Sequence, residues 1–505
     1  MLFFATPAPV KSAHLSSSVG SRLNTRGTTR PKQSALMSMD DEILAIDVGT
    51  SATKAALYCP AYSSLARVSR HTHDTYAHGF AVTQRPSNWL SAALSACSEV
   101  LRDARNVTAI SVTGQMQDLI GVGDVPDLLK DQALLYSDAR AVDEATRLSQ
   151  VTGAEILPTD LLSKLSLLPC PSGQDYILLI GGADFICYEF TGRPNLHFTD
   201  ATTAATTGLT QHPHRKYNTE LFKQAGLSSF IPLLPEIVPR PIPVGRLCAR
   251  IANRIGRPEL AGIPVVHSGG DAFSVTVGAG CGVVGSGCYV YGGSSGWVGK
   301  TIGADSNNLA ALGLAHAAVD SATIVAGSVA AIGACLSHAS ATFLQCTVSD
   351  LSKLAEQSDI GAAGVIYVPY ITGRRCPPAR AVGTLHGLTA SCNRGDIARA
   401  ILEGLVFSLF DASEGMQCGE VSVVGGVTES SVFVNGISAM FGGAKLQERD
   451  VGVLGAGIIG AEALGLDTMD ESVGSLYRVP EKERTRWMHA FKRWKQIVSH
   501  MEAIW

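Results

Sequence analysis

The sequence predicts an α/β chain of two domains, and three observations carry that reading. Its 505 residues exceed what one hydrophobic core ordinarily holds. Short apolar runs alternate with amphipathic stretches, the pattern of sheets covered by helices. Finally, two distant runs end alike, in a glycine turn beside a carboxylate. Ile43 to Val48 carries Asp47 and leads into Gly49, and Ile263 to His267 runs into Ser268-Gly269-Gly270-Asp271. A repeated strand, glycine and acid suggests a duplicated core, although the two halves share too little sequence to show it.

Composition narrows the class. Hydrophobic residues make up 46% and charged residues 17%, which suits a packed enzyme and not a disordered chain. A formal net charge of −4 offers no footprint for nucleic acid, and no apolar run is long enough to predict a membrane span. The 12 cysteines are scattered without a CxxC pair or zinc spacing. They are expected to be reduced core thiols of an intracellular enzyme. Residues 1–40 differ from the rest: they hold Lys11, Arg22, Arg26, Arg30 and Lys32, many Ser and Thr, and no acid before Asp40. That is the composition of an organelle transit peptide, with the hydroxyl content favouring plastid over mitochondrion. A disordered cytoplasmic tail, or translation from Met37 or Met39, is the alternative.

Taken in order, Ile43 to Tyr58 reads as a hairpin. Asp47 at its strand end suits Mg²⁺, a hard cation that keeps several waters. Gly49 allows close backbone approach to a phosphate, and the Thr50 and Ser51 hydroxyls can donate to phosphate oxygens. A proline turn at Thr83-Gln84-Arg85-Pro86 precedes a helix from about Asn88 to Arg105. Val107 to Val112 is a strand ending in Thr113-Gly114-Gln115. Residues 176–192 read as a buried helix capped near Gly192, and the proline-rich 231–246 as a connection. The domain boundary falls near residue 256, giving a leader at 1–40 and domains at 41–255 and 256–505. The strand Gly287 to Val290 leads into Tyr291-Gly292-Gly293-Ser294-Ser295-Gly296, whose small residues expose N–H groups and hydroxyls to a phosphate. Val423-Val424-Gly425-Gly426-Val427-Thr428 is followed by a helix from Ser431 to Phe441, a junction suited to a phosphate or adenosine.

Two glycine patterns point elsewhere and are set aside. Gly455-Ala-Gly457-Ile-Ile-Gly460 and Gly280-Cys-Gly282-Val-Val-Gly285 both satisfy GxGxxG, but too little chain follows Gly455 for a dinucleotide-binding sheet. Both read instead as close-packed glycine helices. His267 reads as a core histidine and Trp297 as packing. No GxxxxGK[ST] loop occurs, so a phosphate site must be assembled from separate turns.

Together these segments resemble the FGGY family of carbohydrate kinases. The resemblance runs from about residue 43 to the C-terminus. It includes Asp47-Val48-Gly49-Thr50-Ser51 with Lys54, Gln84-Arg85-Pro86 before Trp89, Thr113-Gly114-Gln115-Met116, and Leu135-Tyr136-Ser137-Asp138-Ala139-Arg140. It continues through Thr199-Asp200, Gly269-Gly270-Asp271, Gly293-Ser294-Ser295-Gly296, Pro369-Tyr370-Ile371-Thr372-Gly373-Arg374-Arg375, Leu402-Glu403-Gly404, Gly425-Gly426 and Gly455-Ala456.

It implies two ribonuclease H-like domains of the actin-like ATPase superfamily, with ATP in the interdomain cleft and a sugar beside it. Asp271 matches the catalytic base, which accepts the proton of the attacking hydroxyl. Asp47 and Asp271 would organise Mg²⁺. Gly49, Thr50, Ser51, Lys54, Gly293, Ser294, Ser295, Gly425, Gly426 and Thr428 would serve the nucleotide, and Gln115, Met116, Gln117, Asp118 and Asp271 the sugar. The sugar site looks closest to xylulokinases and to their plastid and cyanobacterial relatives that act on ribulose. Xylulokinase types usually carry Gln-Met-His-Gly where this chain has Gln115-Met116-Gln117-Asp118. That form and Thr202-Thr203-Ala204-Ala205-Thr206-Thr207-Gly208 favour D-ribulose, with D-xylulose next. Three departures stand out: Val427 replaces a third glycine, Ser294 replaces threonine, and Cys376-Pro377-Pro378-Ala379 is shorter and less polar than the family pattern.

The expected partner is therefore a small ketose, with neither nucleic acid nor membrane involved and a homodimer left open. An inactive sugar- or nucleotide-binding relative is disfavoured by the intact Asp47 and Asp271. An ATPase with a protein client is disfavoured by the sugar-type blocks at Gln84 and Gln115.

Overall fold

A computed structural model describes residues 41–504, except 172, 174, 195–196, 211–215, 294, 304–313, 318–321, 330–331, 372–380, 448–449 and 467–473. The leader at 1–40, Ser294, and the motif residues Thr372 to Ala379 lie outside the described residues.

Two sheets organise the chain. In the first, the order is Ile242–Arg246, Pro264–Gly270, Asn106–Gly114, Asp41–Val48, Ala52–Cys59 and Ser64–Thr72. The three middle members run parallel, and the outer ones are antiparallel to their neighbours. In the second, the order is Leu314–Ala317, Ala322–Val329, Gly296–Gly303, Cys288–Gly292, Val421–Val424, Ala444–Leu446 and Leu476–Tyr477. Here an antiparallel meander of four strands, one more than in the first sheet, is followed by two parallel additions and an antiparallel edge. The strand arrangement is thus repeated between the two sheets, but the strand–glycine–acid repeat does not mark it: Asp47 in Asp41–Val48 and Asp271 after Pro264–Gly270 both belong to the first sheet.

Helices cover both faces of the first sheet, so its central strand Ile43 to Ile46 is fully buried. Pro86–Val100 packs on one face and Val451–Ala463 on the other. The second sheet carries Arg394–Ala412, with Ser431–Phe441 and Glu481–Glu502 packed outside it. Continuous apolar runs are what strands covered on both faces require.

Several local expectations need correction. Pro86 is not a turn residue; it occupies the first turn of the helix, where its missing N–H costs nothing. Residues 176–192 are not one helix but the strand Tyr176–Gly181 followed by the helix Gly182–Phe190, because a short buried apolar run has no periodicity to separate the two. The proline-rich connection contains the edge strand Ile242–Arg246, with Pro243 beside a register shift, as prolines in strands require. Pro264–Gly270 pairs within the first sheet, on the far side of the boundary expected near residue 256.

The two GxGxxG runs separate in fate. Gly455, Gly457 and Gly460 lie in the helix Val451–Ala463, where close packing forbids a side chain. A Cβ on Gly455 would stand 1.8 Å from the Ser274 carbonyl oxygen, and one on Gly460 would stand 2.5 Å from Ser111 Oγ. The run Gly280 to Gly285 is not helical; it is a loop with Gly280 and Gly285 at positive φ.

The cysteines also depart from expectation. Cys288 and Cys418 form a disulfide across a sequence separation of 130. Cys288 opens the strand Cys288–Gly292 and Cys418 shortly precedes the neighbouring strand Val421–Val424. A pairing made by strand adjacency has no signature in cysteine spacing.

Candidate active site at the strand ends

Three parallel neighbours of the first sheet finish side by side. Asp47 pairs with Thr113 in register, Val48 with Gly114, and Gly114 with Gly270. Asp47 therefore stands at one strand end and Gln115 follows the next. Asp271 follows the third, as the first residue of the helix Asp271–Gly278. The two acids flank one intervening strand, which sets them about 10 Å apart at two strand spacings. The carboxyl ends of parallel strands are where open α/β sheets bind ligands, and a helix N-terminus at Asp271 favours negative charge.

Asp47 has a buried Oδ1 without a hydrogen-bond partner. Burial raises its pKa, Lys54 pulls it back, and Asp450 raises it again. A buried acidic oxygen without a partner is a fit for a hard cation. Among the described residues no three acidic, His or Cys side chains form a metal cage, so an ion here would depend on water and phosphate oxygens for its remaining ligands. Lys54 is less available to a nucleotide than the sequence suggested, because its Nζ lies 2.5 Å from Asp450 Oδ1.

The hairpin turn is fixed from behind. Gly49 N–H donates to the Ala52 carbonyl at 3.1 Å, and the Ser51 carbonyl accepts from His73 N–H at 3.4 Å. The Thr50 carbonyl accepts from Gln84 Nε2 at 2.6 Å. Gln84 is fully buried, donates to Thr75 Oγ1, and accepts from Trp89 Nε1 at 2.8 Å and Gln115 Nε2 at 3.0 Å. One amide thus ties the Thr50 turn to the Gln115 turn. The sequence marked Gln84 as a motif but gave it no task.

Past the middle strand end, Gln115 leaves a buried Oε1 unpartnered, and so does Asp118 at Oδ2. Met116 packs where a Cβ on Gly270 would stand, 2.1 Å from its Sδ. Gln117 takes a left-handed φ of 65°, and its side-chain amide reaches toward the Thr159 carbonyl. Asp118 Oδ1 accepts from Tyr136 N–H at 3.1 Å. Burial pushes the Asp118 carboxyl well up; Lys164 and the Tyr136 N–H oppose it, while Asp271 and Asp184 add to it. Asp271 is therefore near enough to be felt at Asp118. His267 is buried as expected, its Nε2 2.8 Å from Asp184 Oδ1, and its Nδ1 accepts from Gly269 N–H at 3.2 Å. It braces the turn that delivers Asp271.

The second sheet supplies the remaining turns. Gly293 N–H donates to the Ser295 carbonyl at 2.9 Å, and a Cβ on Gly293 would stand 2.3 Å from Tyr291 Oη. Burial raises the Tyr291 phenol, and the Asp271 and Asp47 carboxylates raise it further. One phenol of the second sheet is thus within electrostatic reach of both acids of the first, and Trp297 stacks on its ring at 4.0 Å. Gly425, at φ 94°, sits against Gly292, and Val427 fills the space above Gly292. Gly426 is open. The Thr428 hydroxyl donates to the Gly425 carbonyl at 2.8 Å, so it closes its own turn.

Comparison with known proteins decides the family. The N-terminal domain profile of the FGGY family of carbohydrate kinases matches residues 42–278, and its C-terminal domain profile matches residues 267–464. The chain belongs to the FGGY family of carbohydrate kinases. It is a phosphotransferase with the two-domain, actin-like ATPase fold of that family, whose sugar kinases use ATP with Mg²⁺ as the usual metal. A xylulose kinase of Staphylococcus epidermidis is 25% identical over 469 residues, covering 87% of this chain and 91% of the relative. In fold, the chain matches a ligand-bound xylulose kinase of Lactobacillus acidophilus with a TM-score of 0.75 at 21% identity, covering 92% and 99% of the two chains. It matches a gluconate kinase of the same organism with a TM-score of 0.76 at 22% identity, covering 92% and 98%.

Proposed function

We propose that this chain transfers the γ-phosphoryl group of ATP to a ketopentose, with D-ribulose the favoured acceptor and the 5-phosphate the product. The observation that carries the reading is the alignment of Asp47, Gln115 and Asp271 on three adjacent strand ends. Gln115 Oε1 and Asp118 Oδ2, both buried and unpartnered, are acceptors waiting for hydroxyl donors, since buried polar atoms are ordinarily satisfied. A polyhydroxylated ligand supplies such donors.

In this mechanism Gln115, Gln117 and Asp118 orient the sugar, and Asp271 accepts the proton of the attacking hydroxyl as it bonds to phosphorus. Asp47 and Asp271 are the residues that would hold Mg²⁺, which neutralises charge on the phosphate chain. Thr50, Ser51 and the N–H groups of the Gly293 and Gly425 turns receive the phosphates. Closure of the cleft after sugar binding excludes water and so limits idle ATP hydrolysis. ATP turnover that is equal with and without sugar would contradict that ordering.

D-ribulose is favoured because Gln117 stands where xylulokinase types carry histidine. D-xylulose is the second reading, supported by the names of the relatives. A coupled ADP-release screen over D-ribulose, D-xylulose, L-ribulose, glycerol and gluconate, with protein trimmed to about residue 40, tests both. The highest kcat/KM should fall on D-ribulose. A glycerol or gluconate preference would overturn the ketopentose assignment. The transit-peptide composition further suggests action in a plastid, which a fluorescent fusion of residues 1–40 would test; a diffuse cytoplasmic signal would contradict it.

A further inference from the structure

The acceptor turn rests on a cation that the sequence did not bring forward. Lys164, on the short helix Leu161–Leu165, is fully buried. Its ammonium donates to the Leu135 carbonyl at 2.6 Å and to the Gln117 carbonyl at 3.3 Å. Leu135 precedes Tyr136, whose N–H holds Asp118 Oδ1. Lys164 therefore ties together the two backbone segments between which Asp118 is held.

A lysine is a costly filler for that space. Burying an ammonium costs several kcal/mol unless it is paired and hydrogen-bonded, and an apolar side chain of equal length would pack without that penalty. What the ammonium adds is local. Gln117 is a non-glycine residue in the left-handed region, a conformation that costs about 1–2 kcal/mol and persists only when its surroundings hold it. Its carbonyl is one of the two that Lys164 grips. The positive charge also opposes protonation of Asp118, whose Oδ2 has no protein partner.

We propose that Lys164 is a positioning residue for the acceptor, holding the left-handed Gln117 turn in the shape that offers Asp118 to a ketose hydroxyl. This rests on the ketopentose-kinase reading and deepens it. Lys164 touches neither nucleotide turn, so its effect should fall on the sugar alone.

Titration gives an independent readout. Burial lowers the Lys164 pKa to about 8, against the opposing pull of Asp118, Asp138 and Asp160, with Arg140 adding to the lowering. These are the charged groups that face it: Asp118 on the acceptor turn, Asp138 and Arg140 on the segment after Leu135, and Asp160 just ahead of its own helix. Above about pH 8 the amine loses its proton, so ketose affinity should weaken while ATP affinity holds.

The test is steady-state kinetics of K164M against wild type. The variant should raise the ketose KM at least about tenfold, which corresponds to about 1.4 kcal/mol, with the ATP KM within about twofold, and it should lose the rise in ketose KM above about pH 8. A ketose KM within about twofold of wild type, or equal rises in both constants, would overturn the proposal, because a purely structural lysine lowers the active fraction without separating the two substrates. Should K164M fail to fold, D118N/K164M removes both buried charges together and is compared with D118N. A further rise of about threefold in ketose KM supports the role, and equal values overturn it. Wild-type turnover reports on the kinase reading, whereas the ratio of variant to wild type reports on Lys164.

Discussion

The turn proposed for the acceptor and the turns proposed for the nucleotide are built from different materials. Around Gln115 to Asp118 the site is made by buried side chains: two oxygens without partners, a buried lysine, and a glutamine held left-handed. Around Gly293 and Gly425 it is made by backbone. Gly425 sits at positive φ with its Cα against the Gly292 carbonyl, Gly293 lies over Tyr291, and the Thr428 hydroxyl is already spent on its own turn. A phosphate chain is the same in every reaction of a kinase family, and N–H groups from glycine turns suffice for it. A sugar is read hydroxyl by hydroxyl, and that needs side chains with fixed polarity. The nucleotide side should therefore fail when backbone shape changes, and the acceptor side when a single polar atom changes.

Replacing Asp47 is expected to have the largest of the effects that sharpen this contrast. D47N keeps the size but weakens the anchor for a cation, so turnover should fall at least about hundredfold, in the range for losing one electrostatic contributor. The melting shift produced by ketose should remain, since no acceptor-side group is altered. Loss of that shift together with turnover would mean that Asp47 shapes the sugar site.

Next is G425A. An alanine at φ 94° costs about 1–2 kcal/mol, and its Cβ would stand 2.3 Å from the Gly292 carbonyl oxygen. The ATP KM should rise about tenfold with the ketose KM little changed. A change in ketose KM alone would break the division between backbone-made and side-chain-made sites.

Q117H is the mildest. It restores the histidine of xylulokinase types and exchanges one hydrogen-bonding group, worth about 1 kcal/mol. The ratio of kcat/KM for D-ribulose over D-xylulose should fall about fivefold. An unchanged ratio would remove Gln117 as the discriminating residue.

The same contrast explains what could be read from the chain. The glycine turns were legible because glycines after apolar strands form a local pattern, and the helix Ser431–Phe441 fell where the sequence put it. The placement of Asp47 and Asp271 at strand ends was legible for the same reason. The supports of the acceptor turn were not. Lys164 is a residue type ordinarily found at the surface, and nothing nearby in sequence announces its burial. Lys54 meets Asp450 across 396 positions, so its engagement could not be foreseen. Cys288 and Cys418 become neighbours only when their strands align. The strand Tyr176–Gly181 was lost inside a helix because its run is apolar throughout. Local chemistry was readable, and long-range pairing of polar groups was not.

The claim on which the account stands is that Asp47 and Asp271, delivered by strand ends on either side of Asn106–Gly114, serve one phosphoryl transfer. The most direct measurement is D271N, with ketose-dependent ADP release and ketose binding by calorimetry followed on the same preparation. Turnover should fall by about 10²–10⁴, the contribution of a general base, while the ketose still binds within a few-fold of wild type. Retained turnover with intact binding would contradict the account.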